Sequence, residues 1–513
     1  MMKTYKNPIR RGMYPDPSIV NVNGTFYMVN STFEYYPGIS LARSKDLLNW
    51  ETLPGIVQSP SQADLRKSAS NEGIFAACIR YYNKHFYVIT TNFAEFKTFI
   101  IRGTLMNDSI KWDKKRIEVD IPGIDPDLFF ENGKAYVQFT GYIDDKGTKA
   151  IRQVEIDIET GKIINGPKIL SFGSGGRDVE GPHIIKNKDK YYLLLAEGGT
   201  GLGHMITMFV SDSIWGPYTE DSGINPIFTN RDRANEQIQN VGHADLFQDQ
   251  KGAWWLTCLG TRPASVGFSQ ITNIGRETLL YPVDWTGKWP KVYQGIPTVD
   301  VDLDKFPIQR QTLPAHQNDS EFCDSFESGR IKPDWLSLRD NLGDRQLIEN
   351  RTLILKGSTH TLDKIGTPTF LGIRQAEHDE KMVLTLDPNK TELNNGQVGL
   401  VTVINIDHFA GIMLSKASEG KFAIHHLQQV GDVKIDKVIG YLDEIPTSLS
   451  VYSSNESKTY QVTSPSNKIE FTVSALNLSN EAIAALNTGD IQGPYVIGKA
   501  VLGIKKVVRI PDK

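Results

Sequence analysis

The 513-residue sequence predicts an all-β protein: a five-bladed β-propeller over residues 1–315, followed by a β-sandwich over residues 320–513. Three observations predict it. A short aromatic strand recurs five times at a spacing of roughly 50–60 residues, the period of a propeller blade. Helical periodicity is weak, while period-two alternation is common. After the fifth copy the repeat stops and a run of unrelated alternating segments begins.

The repeated strands are Phe26-Tyr27-Met28-Val29, Phe86-Tyr87-Val88-Ile89, Ala135-Tyr136-Val137-Gln138, Tyr191-Tyr192-Leu193-Leu194 and Trp254-Trp255-Leu256. Four of them follow a polar turn such as Asn23-Gly24 or Asn132-Gly133, a hairpin signal. Five sheets around an axis bury their faces against one another and leave few open edges. Pro297 through Pro314 is rich in Pro and Asp and reads as the propeller's end and a linker. Beyond it, Thr352–Leu355, Met382–Leu386, Val398–Val403, Phe409–Leu414 and Ile469–Val473 alternate as strands of a sandwich.

Composition narrows the function. A net charge of −4 with no dense Lys/Arg run gives no footprint for nucleic acid. The longest apolar stretches, such as Tyr191 to Ala196, are too short to span a bilayer. The N-terminus shows no apolar leader segment, and the three cysteines, Cys78, Cys258 and Cys323, form no CxxC pair. These features predict a cytoplasmic protein with neither a disulfide framework nor a zinc site.

The repeats carry chemistry in register. Eleven residues before Tyr27 stands Asp16, and eleven before Tyr136 stands Asp125. Twelve before Tyr192, Trp255 and Tyr87 stand Glu180, His243 and Phe75. Radial blades bring these side chains to one point. Two carboxylic acids facing a sugar are the minimum for glycoside hydrolysis, and a third raises the pKa of the acid by like-charge repulsion. Pro15 and Pro17 fix the backbone around Asp16. Asp127 competes with Asp125 for its role, and Asp178 and Glu197 compete with Glu180; register favours Asp125, and the Glu180-Gly181-Pro182-His183 context favours Glu180.

Tyr14-Pro15-Asp16-Pro17-Ser18, Ser31-Thr32-Phe33-Glu34-Tyr35-Tyr36-Pro37-Gly38, Ile124-Asp125-Pro126, Glu180-Gly181-Pro182-His183, Gly242-His243-Ala244-Asp245 and Gly275-Arg276-Glu277-Thr278 follow one another at blade spacing. This series resembles glycoside hydrolase family 43, and the region from Cys323 looks like the C-terminal concanavalin-like sandwich of its β-xylosidase-like members. The resemblance implies an exo-acting, inverting hydrolase acting on an oligosaccharide. It makes Asp16 the general base, Glu180 the general acid and Asp125 the residue that tunes and orients Glu180. It puts Phe33 and Phe75 in the walls of the sugar pocket, His243 and Arg276 at its floor and His204 near it; Tyr35 and Tyr36 are divided between pocket and packing. No cofactor is required. Some relatives hold a cation beside the equivalent of His243, so calcium is a candidate there, although no calcium-loop spacing accompanies it. Family analogy adds a homo-oligomer.

The second blade departs from the family. The β-xylosidase pattern Gly-Ile-Trp-Ala-Pro-Asp is here Gly73-Ile74-Phe75-Ala76-Ala77-Cys78. A smaller wall suits an arabinofuranose, so the resemblance points to an α-L-arabinofuranosidase, with β-D-xylosidase or dual activity as the alternative. A non-catalytic sugar-binding propeller would not need three acids. Family members send an aromatic from the sandwich to narrow the site, and Gly493-Pro494-Tyr495-Val496-Ile497-Gly498 is the nearest candidate for it.

Overall fold

The computed structural model describes residues 2–512 and is nearly all β. Five antiparallel sheets make the blades. The first holds Ser18–Val22, Thr25–Asn30, Ser40–Ser44 and Glu51–Leu53. The second holds Ile74–Tyr82, His85–Asn92 and Lys97–Met106, with two short strands on the last of these. The third holds Ile124–Glu131, Lys134–Tyr142, Lys149–Ile156 and Ile163–Ser171. The fourth holds Glu180–Asn187, Lys190–Glu197 and Met205–Ser211, and the fifth Gln239–Gln248, Trp254–Thr261, Glu277–Asp284 and Lys291–Val292. The innermost strands touch their neighbours in a closed ring.

Local chemistry explains the blades. In four of them the first two strands are joined by two residues, both at positive φ: Asn23-Gly24, Asn83-Lys84, Asn132-Gly133 and Lys188-Asp189. This backbone matches the right-handed strand twist. Thr25–Asn30 is buried along almost its whole length rather than on one face. Each blade is stacked between two others, so both faces of its middle strands need apolar side chains. Clusters such as Tyr27, Val29, Ile79 and Phe86, or Tyr87, Ile89, Val137 and Phe139, are the seams between blades.

The stretch read as a linker closes the ring. Asp300–Asp302 pairs with Thr4–Lys6, and Arg10 bridges to Thr278. Asn7 seals the same seam, its side chain donating to Leu280 O and accepting from Leu280 N. A three-residue strand with its partner at the other end of the propeller has no local pattern to reveal it.

The sandwich strands begin at Phe322–Asp324. One sheet runs through Thr352–Lys356, Val501–Pro511, Glu380–Leu386 and Ser448–Ser453; the other runs through Ile491–Gly498, Gly396–Asn405 and His408–Lys416. Leu384, Leu400, Ile412, Val451 and Leu502 fill the space between them. The sandwich is fused to the first blade. Ser337–Leu338 pairs with Tyr35–Tyr36, and Met13 and Tyr35 sit in one cluster with Leu338, Phe370 and Tyr495. Tyr35 and Tyr36 are therefore packing residues.

Candidate active site

At one end of the propeller axis lies a pocket of about 400 Å³. Asp16, Phe33, Phe75, Asp125, Glu180, His243 and Arg276 line it, so seven of the eight side chains singled out in the sequence meet there. A larger hollow of about 550 Å³ near Asn23 and Asp108 is remote from these acids.

Backbone strain aims the side chains. Asp16, Asp125 and His243 have φ of 51°, 53° and 45°, and Phe33 has 51°. Non-glycine residues in this region are strained and concentrate at functional sites. In the third and fifth blades the strand bulges at the strained residue, between Ile124 and Asp127 and between Gly242 and Asp245. The bulge breaks simple alternation, so Asp125 lines the pocket while Asp127 is fully buried against the axis.

Asp16 is buried and tightly held. Its Oδ1 lies 3.2 Å from Arg276 Nη1 and 3.6 Å from His243 Nδ1, and its Oδ2 accepts from Ser31 Oγ. Burial alone would raise this carboxyl, but Arg276, His243 and the Ser31 hydroxyl together hold it below the usual aspartate value. Glu180 is shifted in the opposite direction. Burial, then Asp125, pushes it from 4.5 to about 8, against the pull of Lys149. Asp125 is raised by burial and by Asp16, with His243 and the Gly181 N–H opposing. One carboxyl is held ionised and another protonated across one sugar-sized pocket, a pair that can deprotonate water on one side and protonate a leaving oxygen on the other.

Arg276 does two things. Its Nη1 donates to Asp16 and, at 3.1 Å, to Thr200 Oγ1, and its guanidinium carbon lies 5.7 Å from the Phe33 ring centre. Phe33 meets Phe75 edge to face at 5.9 Å, and Phe75 stacks on Phe93 at 4.6 Å. Gly181 makes room for His243: a Cβ there would stand 3.1 Å from the imidazole.

Of those eight, His204 does not line the pocket. It is buried behind His243, and a Cβ on Gly242 would lie 2.3 Å from its ring. Burial pushes its pKa down to about 3, so it is neutral, and its Nδ1–H donates to Asn240 O at 3.0 Å. It supports the His243 backbone. Glu197 is also structural, accepting from the backbone of Ser174 and Gly176 and from Thr207 Oγ1.

Several pocket groups escaped the sequence reading. Lys149 lines the wall beside Glu180 and pairs with Asp178 at 2.7 Å, while Arg177 pairs with the other oxygen of Asp178. Ser31 and Thr200 lie outside the repeated register, so no count could have selected them. The sandwich does reach the pocket, through Ala484, Ala485, Leu486 and Asn487. Tyr495, on the segment expected there, is buried in the inter-domain cluster, its hydroxyl accepting from Leu362 N at 3.1 Å. The loop that reaches the pocket has no aromatic to betray it.

An axial pocket with oppositely shifted carboxyls, on a five-bladed propeller with a fused sandwich, is the arrangement of a glycoside hydrolase. The comparisons give its family. Residues 5–290 match the model for glycosyl hydrolases family 43, and residues 323–499 match the beta xylosidase C-terminal concanavalin A-like domain. The chain belongs to glycoside hydrolase family 43. It is 32% identical to the non-reducing end alpha-L-arabinofuranosidase BoGH43B of Bacteroides ovatus, over 97% of this chain and 92% of that protein. It is 34% identical to a xylosidase/arabinosidase of Butyrivibrio fibrisolvens, over 80% of each. The solved structure of the Bacteroides ovatus xyloglucan-locus GH43B superposes with a TM-score of 0.87 at 29% identity, covering 99% of this chain and all of that one.

Proposed function

We propose that the protein is an exo-acting, inverting α-L-arabinofuranosidase that releases terminal arabinofuranosyl residues from arabino- or arabinoxylo-oligosaccharides. The observation that carries this reading is the opposed pair, Asp16 held ionised and Glu180 held protonated, in a pocket walled by the sandwich loop at Ala484–Asn487. Asp16 takes a proton from water as the water attacks the anomeric carbon. Glu180 gives its proton to the departing oxygen on the opposite face. Asp125 keeps Glu180 protonated by charge repulsion and steadies the Gly181 N–H through its Oδ2. Arg276 and Ser31 fix the Asp16 carboxylate, and Phe33 and Phe75 offer apolar faces to the sugar ring.

The loop closes one side of the pocket, which supports removal of single terminal sugars rather than cleavage within a chain. The phenyl wall at Phe75 supports a furanose. β-D-Xylosidase activity is the second reading, supported by the Butyrivibrio relative named for both activities. The test is kcat/KM on 4-nitrophenyl α-L-arabinofuranoside against 4-nitrophenyl β-D-xylopyranoside. The expected ratio favours the arabinofuranoside by about tenfold or more; a ratio below one reverses the assignment. NMR of the first sugar released from an arabino-oligosaccharide is expected to show the β-anomer, and the α-anomer would exclude inversion.

A further inference from the structure

Beneath the pocket, the propeller axis holds a buried polar cluster drawn from all five blades. The first blade gives Ser18, the second Cys78 and Arg80, the third Asp127, the fourth His183 and the fifth Asp245. Asp127, His183 and Asp245 each stand two or three residues after the pocket residue of their own strand, Asp125, Glu180 and His243, and a bulge lies between in every case. Arg80 joins them. Its Nη2 lies 2.8 Å from Asp127 Oδ1 and 3.0 Å from His183 Nδ1. Its Nη1 lies 2.8 Å from Asp245 Oδ2 and donates to Ser18 Oγ at 3.1 Å. Cys78 Sγ donates to Asp127 Oδ1 at 2.7 Å, and the Ile184 N–H to Asp127 Oδ2 at 3.1 Å. Ser18 Oγ in turn donates to Asp245 Oδ2 at 2.7 Å.

A divalent ion fits this place poorly. Cys78, Asp127 and His183 present donor atoms within 4.8 Å of one another. Calcium takes six to eight oxygens, whereas this trio offers one carboxylate, one thiol and one imidazole. A guanidinium nitrogen already stands against two of the three donors, and it would repel a second cation. His243, the expected neighbour of a cation, turns its Nδ1 to Asp16, and its ring centre is 6.3 Å from that of His183.

We propose that Arg80 is the built-in cation of the propeller axis and a positioning residue for the reaction, holding the bulged strand segments that carry Asp125, Glu180 and His243 through Asp127, His183 and Asp245. Two carboxylates with almost no solvent contact need a compensating charge, and the flat guanidinium fork reaches both at once. Losing it would leave Asp127 and Asp245 repelling each other at the foot of three pocket strands. Arg80 enters from the far side of the propeller, where a hollow bounded by Ile19, Leu128, Ile184 and Phe247 leaves 19% of its side chain open. Small solutes can therefore reach the position.

The test uses the full-length enzyme and whichever nitrophenyl glycoside it turns over faster, so an error in the sugar assignment does not affect it. Prolonged treatment with EDTA is expected to leave wild-type kcat unchanged within twofold. Arg80→Met is expected to lower kcat by about 10²-fold, the cost of a roughly 1 Å misplacement, with KM changed less than threefold. Arg80→Ala is expected to regain activity several-fold in millimolar guanidinium and not in calcium. A wild-type enzyme that loses activity to EDTA and regains it with calcium would overturn the proposal, as would a folded Arg80→Met with parental kcat. Should Arg80→Met not fold, the EDTA result and the guanidinium titration of Arg80→Ala still decide.

Discussion

Asp16 and Glu180 share one pocket, yet their neighbours drive them apart. Arg276 and Ser31 stabilise a charge on Asp16, while burial and Asp125 oppose one on Glu180. Activity should follow a bell-shaped kcat/KM profile, with its acidic limb below the ordinary aspartate range and its basic limb near pH 8. Asp16→Asn and Glu180→Gln should each cost at least about 10²–10⁴-fold in kcat, measured on an unactivated oligosaccharide. Glu180 also carries a stability signature. Its folded pKa is raised from 4.5 to about 8, so the native chain keeps a proton that the unfolded chain releases in that interval. Wild-type stability should therefore fall as pH climbs from about 4.5 to about 8. Glu180→Gln has no such proton: its Tm should match the parent near pH 4 and exceed it at pH 8, and equal thermal shifts at both pH values would contradict this. Gly181 is the most constrained neighbour. At φ 56°, with His243 at 3.1 Å from a would-be Cβ, Gly181→Ala should displace the imidazole from Asp16 and lower kcat at least tenfold. These acids were legible because each stands at one register of a repeated unit. Ser31 and Thr200 were not, because they reach Asp16 and Arg276 from segments outside the repeated register, where position in the sequence carries no periodic information.

Strands and loops explain what counting could not. Lys149 opens the third strand of the third blade, and Asp178 precedes the first strand of the fourth; they meet across the blade boundary beside Glu180. Lys149 favours the ionised form of Glu180 and Asp178 disfavours it. Lys149→Met should move the basic limb of the kcat/KM profile to higher pH, and Asp178→Asn should move it lower. Shifts of the same sign in both variants would show that the pair acts through structure rather than charge. Bulges explain the contest between Asp125 and Asp127. A regular strand would put residues two apart on one face, yet the irregular step at Asp125 gives one to the pocket and the other to the axis. The four two-residue turns with positive φ were visible in part, since Asn-Gly announces itself while Lys188-Asp189 does not; there the flanking strands impose the conformation. The Asp300–Asp302 strand was hidden for a related reason: its pairing is with the chain's beginning, and ring closure selects it.

The two domains share one core at their junction. Tyr14, two residues before Asp16, lies between the guanidinium groups of Arg10 and Arg374, at 3.7 Å and 4.0 Å from its ring centre. Arg374, from the sandwich, also donates to Met13 O at 2.6 Å, and the sandwich residue Arg339 donates to Ser68 O at 2.6 Å. On either side of the loop that reaches the pocket, Glu481 accepts from Thr272 N at 2.7 Å, Asn480 donates to Thr272 O at 2.8 Å, and the Asp490 N–H donates to Asn273 O at 2.7 Å. These bonds deliver Ala484–Asn487 to the pocket wall, with Leu486 against Gly201. The existence of the sandwich was legible, but its reach was not, because the contacts run from single, scattered polar side chains to backbone atoms, with no pattern of their own. A propeller cut at residue 315 should therefore lose more than an appendage. It would expose Met13 and Tyr35, strip Tyr14 of one cation and remove one wall of the pocket. Expressed alone, residues 1–315 should aggregate or bind an apolar dye, and should show no measurable kcat/KM on arabino-oligosaccharides. Adding residues 320–513 in trans should restore activity only if the two parts reform this joint core, whereas a soluble propeller fragment with parental kcat/KM would show that the sandwich wall takes no part in the site.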